Sequence, residues 1–288
     1  MSIPTSEINS RQKLLIDSKA KKQESKIWQK FRQFYLGPII AFVVFLALWQ
    51  SVPVLLGLEH YILPKPTDVV AAAIEDWSLL WPAVQITVVE SVLGFFVSAV
   101  VGIGVSILLA SSKVLERSIY PYAIVLQTIP VVAVAPIVVI WFGAGYNSIV
   151  VISFLIGFFP VISNTLMGLN SVDKNKDELF TLYNATKWQK MWKLRIPSAL
   201  PYMMTGLKIS CTLSIVGAIV GEYIAGIGGG KGGLGYSITV AAMQVKTSYL
   251  FACGIAAAIL GIAFYLLVSM FSNYMLNSWH DSAIKADK

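Results

Sequence analysis

Six apolar runs, each long enough to cross a lipid bilayer, constrain this chain more than any other feature. They occupy approximately residues 38–56, 83–110, 119–141, 148–169, 198–221 and 250–274, and a crossing helix needs about 20 predominantly apolar residues. Backbone groups in lipid have no water to pair with, so each run must satisfy its own hydrogen bonds as a helix. The alternation and short-turn spacing of a membrane β-barrel are absent. Composition agrees, with 56% of the 288 residues hydrophobic, 13% charged and a mean hydropathy of +0.71. Soluble domains carry about 25% charged residues. The expected fold class is all-α, a polytopic helical membrane protein with about six transmembrane helices.

The flanks set the domain plan. Residues 1–35 are polar and lysine-rich, too long and too charged for a cleavable signal peptide of about 15–30 residues. They are expected to be a solvated tail, with the first apolar run as an uncleaved anchor. A transmembrane domain spans 36–276 and contains a long loop at 171–197, and a short tail covers 277–288.

Loop charges orient the spans. Eight lysines and arginines lie in the first tail, two at Lys113 and Arg117, six from Lys174 to Arg195 and two in the last tail. These eighteen fall on one side of a six-span layout, against three on the other: Lys65, Lys231 and Lys246. Both tails and the 171–197 loop are therefore expected to be cytoplasmic. The net charge of +7 is spread over these loops rather than gathered on one patch, which argues against a nucleic-acid partner.

Two features of the spans concern packing. Gly94, Ser98, Gly102, Ser106 and Ala110 recur every four residues, and Gly217 and Gly221 repeat the device, so small-residue stripes allow close backbone approach. Pro130 and Pro136 interrupt the third span and Pro160 lies in the fourth; each removes a helix hydrogen bond. Irregular backbone at membrane depth survives where it is buried or lines a cavity. Gln127, Thr128, Pro130 and Pro136 are thus candidates for a pathway wall, with a plain packing kink equally compatible. Glu222, at the end of the fifth span, joins them as an ionisable residue at membrane depth. Glu90 is read as structural.

Catalytic and cofactor chemistry finds no foothold. Residues 228–233 formally fit G-x-G-x-x-G but follow a membrane span and not a strand, and a Walker A loop would need Gly where Ala225 stands and Ser or Thr where Gly232 stands. A turn needing positive φ angles is the preferred explanation. Cys211 and Cys253 lie in apolar runs and read as buried thiols, and two histidines, His60 and His280, offer little to a metal. No catalytic residue, cofactor or metal is expected, so the chain reads as a non-enzyme.

The informative segment is the 171–197 loop. Leu179, Leu182 and Tyr183 share one helical face, and Trp188, Met191 and Trp192 share another. Asn184 between them suits a left-handed helix stop, and Pro197 and Pro201 are expected to end the unit and start the next span. An aromatic ridge rimmed by Lys187, Lys190 and Lys193 suits docking into a partner's groove. It equally suits an amphipathic helix on an anionic lipid surface.

Glu178-Leu-Phe-Thr-Leu-Tyr-Asn184, followed by nine residues and Leu194-Arg-Ile196-Pro197, resembles the EAA loop of ABC importer permeases, with Leu179 and Phe180 at its two alanines and Asn184 at its glycine. Leu63-Pro64-Lys-Pro66-Thr-Asp68, Gln127-Thr-Ile-Pro130, Ala135-Pro136, Ile140-Trp-Phe-Gly143, Leu200-Pro201 through Gly206-Leu-Lys208, and Gly233-Leu-Gly-Tyr236 resemble the sulfonate/nitrate/taurine-type permeases over residues 60–275. The resemblance implies the MetI-like fold and a translocation pathway for a sulfonate, nitrate, bicarbonate or small heterocycle such as a vitamin precursor. It further implies a second permease copy, cytoplasmic ATPase subunits and an external solute-binding protein. The coupling residues it carries over are Glu178, Leu182, Asn184, Ala185, Trp188, Leu194, Ile196 and Pro197. A secondary transporter or channel is the alternative; it would ordinarily show intramembrane charges or internal repeats.

Overall fold

A computed structural model describes residues 36–225 and 232–277. The two tails and most of the glycine-rich turn, with Lys231, lie outside the described residues. Among the described residues the fold is entirely helical.

The chain divides into two units, residues 1–67 and 68–288. In the first, α1 (Leu36–Leu55) is a 20-residue apolar helix. It is tied to the segment that follows it by Trp49 Nε1 donating to the Pro64 carbonyl at 3.1 Å and Gln50 Nε2 to Thr67 Oγ1 at 3.2 Å. Helix α2 (Pro66–Glu75) opens on Pro66, a residue suited to a first helical turn, where its missing N–H costs nothing.

The second unit is organised around α6 (Tyr146–Asn170), which packs between α3 (Trp77–Ser111) and α9 (Ile196–Ala225). These are apolar all round, so pattern alone cannot choose the buried face. Small residues choose it. A Cβ on Gly102 would stand 2.8 Å from Val161 of α6, and one on Gly217 would stand 2.7 Å from the Ser153 Cα. The stripes carry hydrogen bonds as well. Ser98 and Ser106 donate to the Phe154 and Ile162 carbonyls at 2.9 and 3.2 Å, and Ser153 donates to the Ser214 carbonyl at 2.8 Å. In lipid such bonds are worth about 1–2 kcal/mol at most, so close contact and hydrogen bonding act together. Helix α11 (Thr247–Asn277) is largely exposed, as a lipid-facing helix would be. Its N-terminal end packs on α3 and on α10 (Leu234–Met243) through Leu80, Ala83, Leu234, Tyr249 and Cys253. Cys211 and Cys253 are free and buried.

Five described helices are long and apolar enough to cross a membrane, or six if the bent pair α4 (Lys113–Thr128) and α5 (Val131–Phe142), which meet at 100°, is one span. The break falls at Pro130, as the sequence suggests, and nowhere else. Pro136 and Pro160 sit inside uninterrupted helices, because packing against neighbours tolerates one lost hydrogen bond.

The expected stop at Pro197 and Pro201 is also absent. After α7 (Lys174–Leu182) and α8 (Lys187–Lys190), the helix runs through Met191–Arg195 into α9, and both prolines lie in the first turns of α9. Neither proline can donate an N–H. The turn before them widens instead to π geometry, with the Ile196 N–H reaching the Met191 carbonyl. Such single π turns mark functional segments in many helices.

Candidate functional site

The 171–197 loop is a knuckle standing on a buried base. Asp173 caps α7 by accepting the Asn175 N–H at 2.8 Å. Asn184 takes φ 53°, and around it the Asn184 and Ala185 N–H groups reach back to the Thr181 and Phe180 carbonyls at 2.9 and 3.0 Å. This paired closure is a Schellman stop, so Asn184 serves where glycine is commonest. Helix α8 then starts on a reciprocal capping box: the Thr186 N–H donates to Gln189 Oε1 at 2.8 Å, and the Gln189 N–H to Thr186 Oγ1 at 3.3 Å. Helix α7 therefore starts and stops, and α8 starts, on local hydrogen bonds, without help from a core.

The base is where the loop meets the bundle. Met191 packs with Leu109, Ala110, Leu166, Leu169 and Ala199, Leu194 is buried, and Arg195 Nη1 donates to the Ala110 carbonyl at the end of α3 at 3.1 Å. Met191 thus leaves the aromatic ridge that helical spacing assigned it to: it lies about 100° around the helix from Trp192, on the side packed against the bundle. Lys190 leaves the basic rim. Its Nζ lies 3.1 Å from Asp177 Oδ1 and 2.7 Å from Thr181 Oγ1, which pins α8 to α7. Above this base Leu182 and Tyr183 are each 80% exposed and Trp188 is 67% exposed. Glu178, Asn184, Lys187 and Trp192 are exposed too, while Ala185, Ile196 and Pro197 are half-buried. Of the eight coupling candidates, Glu178, Leu182, Asn184 and Trp188 form the exposed part, and Leu194 anchors it from below.

The pathway candidates separate. Gln127, Thr128, Pro130 and Pro136 are exposed around the α4–α5 break. Glu222 is fully buried inside the bundle, where it forms a knot joining three helices. Its Oε1 accepts from Thr87 Oγ1 of α3 at 2.6 Å, and its Oε2 accepts from the Gly235 N–H of α10 at 2.5 Å. Thr87 Oγ1 in turn accepts the Leu234 N–H at 2.8 Å. The carboxylate and the hydroxyl thus satisfy two of the unpaired N–H groups that begin α10. A Cβ on Gly233 would collide with Glu222 and Thr87, and one on Gly235 with the Ile219 carbonyl. That close approach is the physical reason for glycine at both positions. Glu90 is also buried, and its Oε2 has no hydrogen-bond partner among the described residues. Thr87 had no distinguishing mark in the sequence; its partner is 135 residues away.

Beside the knot, between α5, α9 and α10, lies a cavity of about 290 Å³ lined by Val132, Val220, Tyr223, Ile224, Gly235 and Ile238, among others. Among the described residues no cluster of His, Cys, Asp and Glu could hold a metal ion.

Comparison with known proteins agrees with this geometry. Residues 102–279 match the family of binding-protein-dependent transport system inner membrane components. The formylaminopyrimidine transport permease protein ThiX of Halalkalibacterium halodurans is 35% identical over 84% of this chain and 95% of its own length. The riboflavin transport system permease protein RibX of Chloroflexus aurantiacus is 30% identical over 88% of this chain and 94% of its own. Among solved structures, an inward-facing MetNI methionine ABC transporter chain superposes with a TM-score of 0.59 at 17% identity, over 72% of this chain and 98% of that one. At that identity the likeness shows the fold.

Proposed function

The chain belongs to the family of binding-protein-dependent transport system inner membrane components, as a multi-pass permease subunit of an ABC importer, and from that premise we propose how it works. Two copies pair around a central pathway, each receives a cytoplasmic ATPase subunit on its 171–197 knuckle, and an external binding protein delivers the solute. The ATPases hydrolyse the nucleotide, and this chain turns their closure into alternating access. Both chain ends lie in the cytoplasm.

One observation carries the proposal: an aromatic and aliphatic tip, Leu182, Tyr183 and Trp188, exposed to solvent on a base that is buried and hydrogen-bonded. A rigid apolar tip is suited to a partner's groove, because little ordering is left to be done on binding. It is a poor lipid-surface element. The lysine at its middle, Lys190, is turned inward to Asp177 instead of reaching for headgroups, the usual role of a basic face at a membrane. The base is continuous with α9, so movement of the knuckle is transmitted directly to a span at the centre of the bundle.

The relatives named for a formylaminopyrimidine and for riboflavin both move flat nitrogen heterocycles, which supports a small heterocycle as the solute here. Sulfonates, nitrate and bicarbonate are the alternatives within the wider family resemblance.

Two experiments test the assignment. Purified alone, the chain should hydrolyse no ATP, and with its ATPase it should; hydrolysis by partner-free protein would overturn the division of labour. In a background without native cysteines, Lys65→Cys and Lys246→Cys should react with a membrane-impermeant thiol reagent outside intact cells. Lys113→Cys and Lys187→Cys should not, and the reverse pattern would invert the orientation.

A further inference from the structure

We propose that the cavity between α5, α9 and α10 is the solute-contact site of this subunit, and that it takes a flat, uncharged heterocycle stacked on Tyr223. The inference rests on the importer assignment above and deepens it.

Position comes first. Irregular backbone at membrane depth persists where it lines a cavity or is buried in protein, and interrupted helices point to binding sites in transporters generally. Two interruptions converge here. Val132 lies in the first turn after the 100° break at Pro130, and Gly235 is the second residue of α10. Both line the same cavity.

The wall they form is held in place from behind. The Gly235 N–H is bound by Glu222 at 2.5 Å and the Leu234 N–H by Thr87 at 2.8 Å, so the start of α10 is fixed against α9 and α3. A buried carboxyl in a membrane span is costly to keep. Here it sets where Gly235 and Ile238 stand, which makes the cavity a maintained shape and not a gap left by loose lipid-facing packing.

Chemistry then selects the occupant. Every lining side chain among the described residues is aliphatic except that of Tyr223, which is 59% exposed. Among the described residues no cation lines the cavity, and the one backbone donor that Gly235 has is already taken by Glu222. Glu222, which holds the Gly235 N–H of the lining from behind, is acidic. A nitrate or sulfonate entering such a lining would lose its hydration without replacement. A neutral ring keeps its apolar faces against Val132, Val220 and Ile238 and gains an aromatic contact with Tyr223. The volume of about 290 Å³ sits at the lower end of ligand pockets, roughly 300–1,000 Å³, which suits a molecule of one or two rings.

The test uses the complete permease–ATPase complex in lipid nanodiscs, hydrolysing ATP, with Cys211 and Cys253 replaced by alanine. Ile238→Cys and, as a second position, Val220→Cys are modified with methyl methanethiosulfonate, a small neutral reagent, and followed by mass spectrometry. The probe is 4-aminopyrimidine at mildly alkaline pH, where the ring is uncharged. At about ten times its half-protecting concentration it should slow modification roughly tenfold, while nitrate and methanesulfonate leave the rate unchanged. Tyr223→Ala should abolish the protection and Tyr223→Phe should keep it. Equal protection by the anions, no protection at either cysteine, no modification at all, or a disulfide-linked pair of permeases through Ile238→Cys would each overturn the proposal. The last result would assign the cavity to a second copy. An active, ATPase-bound complex that shows no protection removes this site and leaves the importer assignment standing. A chain that purifies without any ATPase removes both.

Discussion

The Glu222 knot and the 171–197 knuckle sit at opposite ends of α9, and they are built in opposite ways. At the knot, a carboxyl and a hydroxyl from distant parts of the chain are sealed from solvent and spend their hydrogen bonds on the N–H groups of α10. At the knuckle, every cap is local, within a few residues, and the side chains with the largest apolar area point outward. The first arrangement holds the molecule together, and the second is prepared for another molecule. Buried polar networks of the first kind are expensive to break because each loss strands a partner. Exposed tips of the second kind can change without cost to the fold, and a change there is felt only by whatever binds them.

Substitutions should therefore divide into two groups, and the division can be broken by any variant that crosses it. The largest effect is expected at Gly217→Leu. Its Cβ would already stand 2.7 Å from the Ser153 Cα, and overpacking of this kind costs about 1–3 kcal/mol or more where backbone must move. The yield of monodisperse protein in detergent should collapse, yet the fraction that folds should keep its ATPase. Normal yield and thermal midpoint would mean that the α6–α9 contact is not close-packed.

Next comes the knot. Glu222→Ala removes the acceptor for both the Thr87 hydroxyl and the Gly235 N–H, each bond being worth about 1–2 kcal/mol in a membrane bundle. The thermal midpoint of the purified complex should fall clearly, and Glu222→Gln should recover part of it because one acceptor oxygen remains. ATPase retention should match wild type in both. Loss of the ATPase at an unchanged midpoint would place Glu222 in the wrong group.

A smaller effect is expected at the pin between α7 and α8. Lys190→Met removes a partly exposed ion pair with Asp177, and such pairs contribute about 0.2–1 kcal/mol. ATPase affinity, measured by titration, should weaken severalfold at most, because the two caps still hold each helix. Lys187→Glu, at an exposed residue with its charge in water, should do less still, and its effect should fade with salt.

The same comparison explains what could be read from the residue string. The knuckle was legible because its determinants are local: Asn184 as a left-handed stop, the 3.6-residue period, and the spacing to Pro197 all lie within one segment. The span lengths and the small-residue stripe at Gly94, Ser98, Gly102 and Ser106 were legible for the same reason. The knot was not. Glu222 could be located by depth but not by facing, since α9 is apolar all round; Thr87 is unremarkable until the fold brings it there, and Gly235 stood out only as part of the resemblance over residues 233–236. Lys190 misled because its partner Asp177 lies on the other side of the Asn184 turn. Met191 misled because it lies one residue from Trp192 around the helix, and only the packing of α3 and α6 against it decides that it faces the bundle.

The central claim, that the knuckle is the ATPase's docking element, is tested most directly by Leu182→Glu. Leu182 is 80% exposed, so the substitution costs the isolated permease nothing. In a partner's apolar groove an unpaired carboxylate costs several kcal/mol before relaxation, and each 1.4 kcal/mol is about tenfold in affinity. The measurement is ATPase co-purified per folded permease, at matched membrane expression and two salt concentrations, with Lys187→Glu alongside. The account predicts a loss of more than tenfold for Leu182→Glu at both salts, an unchanged thermal midpoint, and near-normal retention for Lys187→Glu. Full retention in Leu182→Glu, or a loss shared equally by Lys187→Glu and relieved by salt, would contradict it.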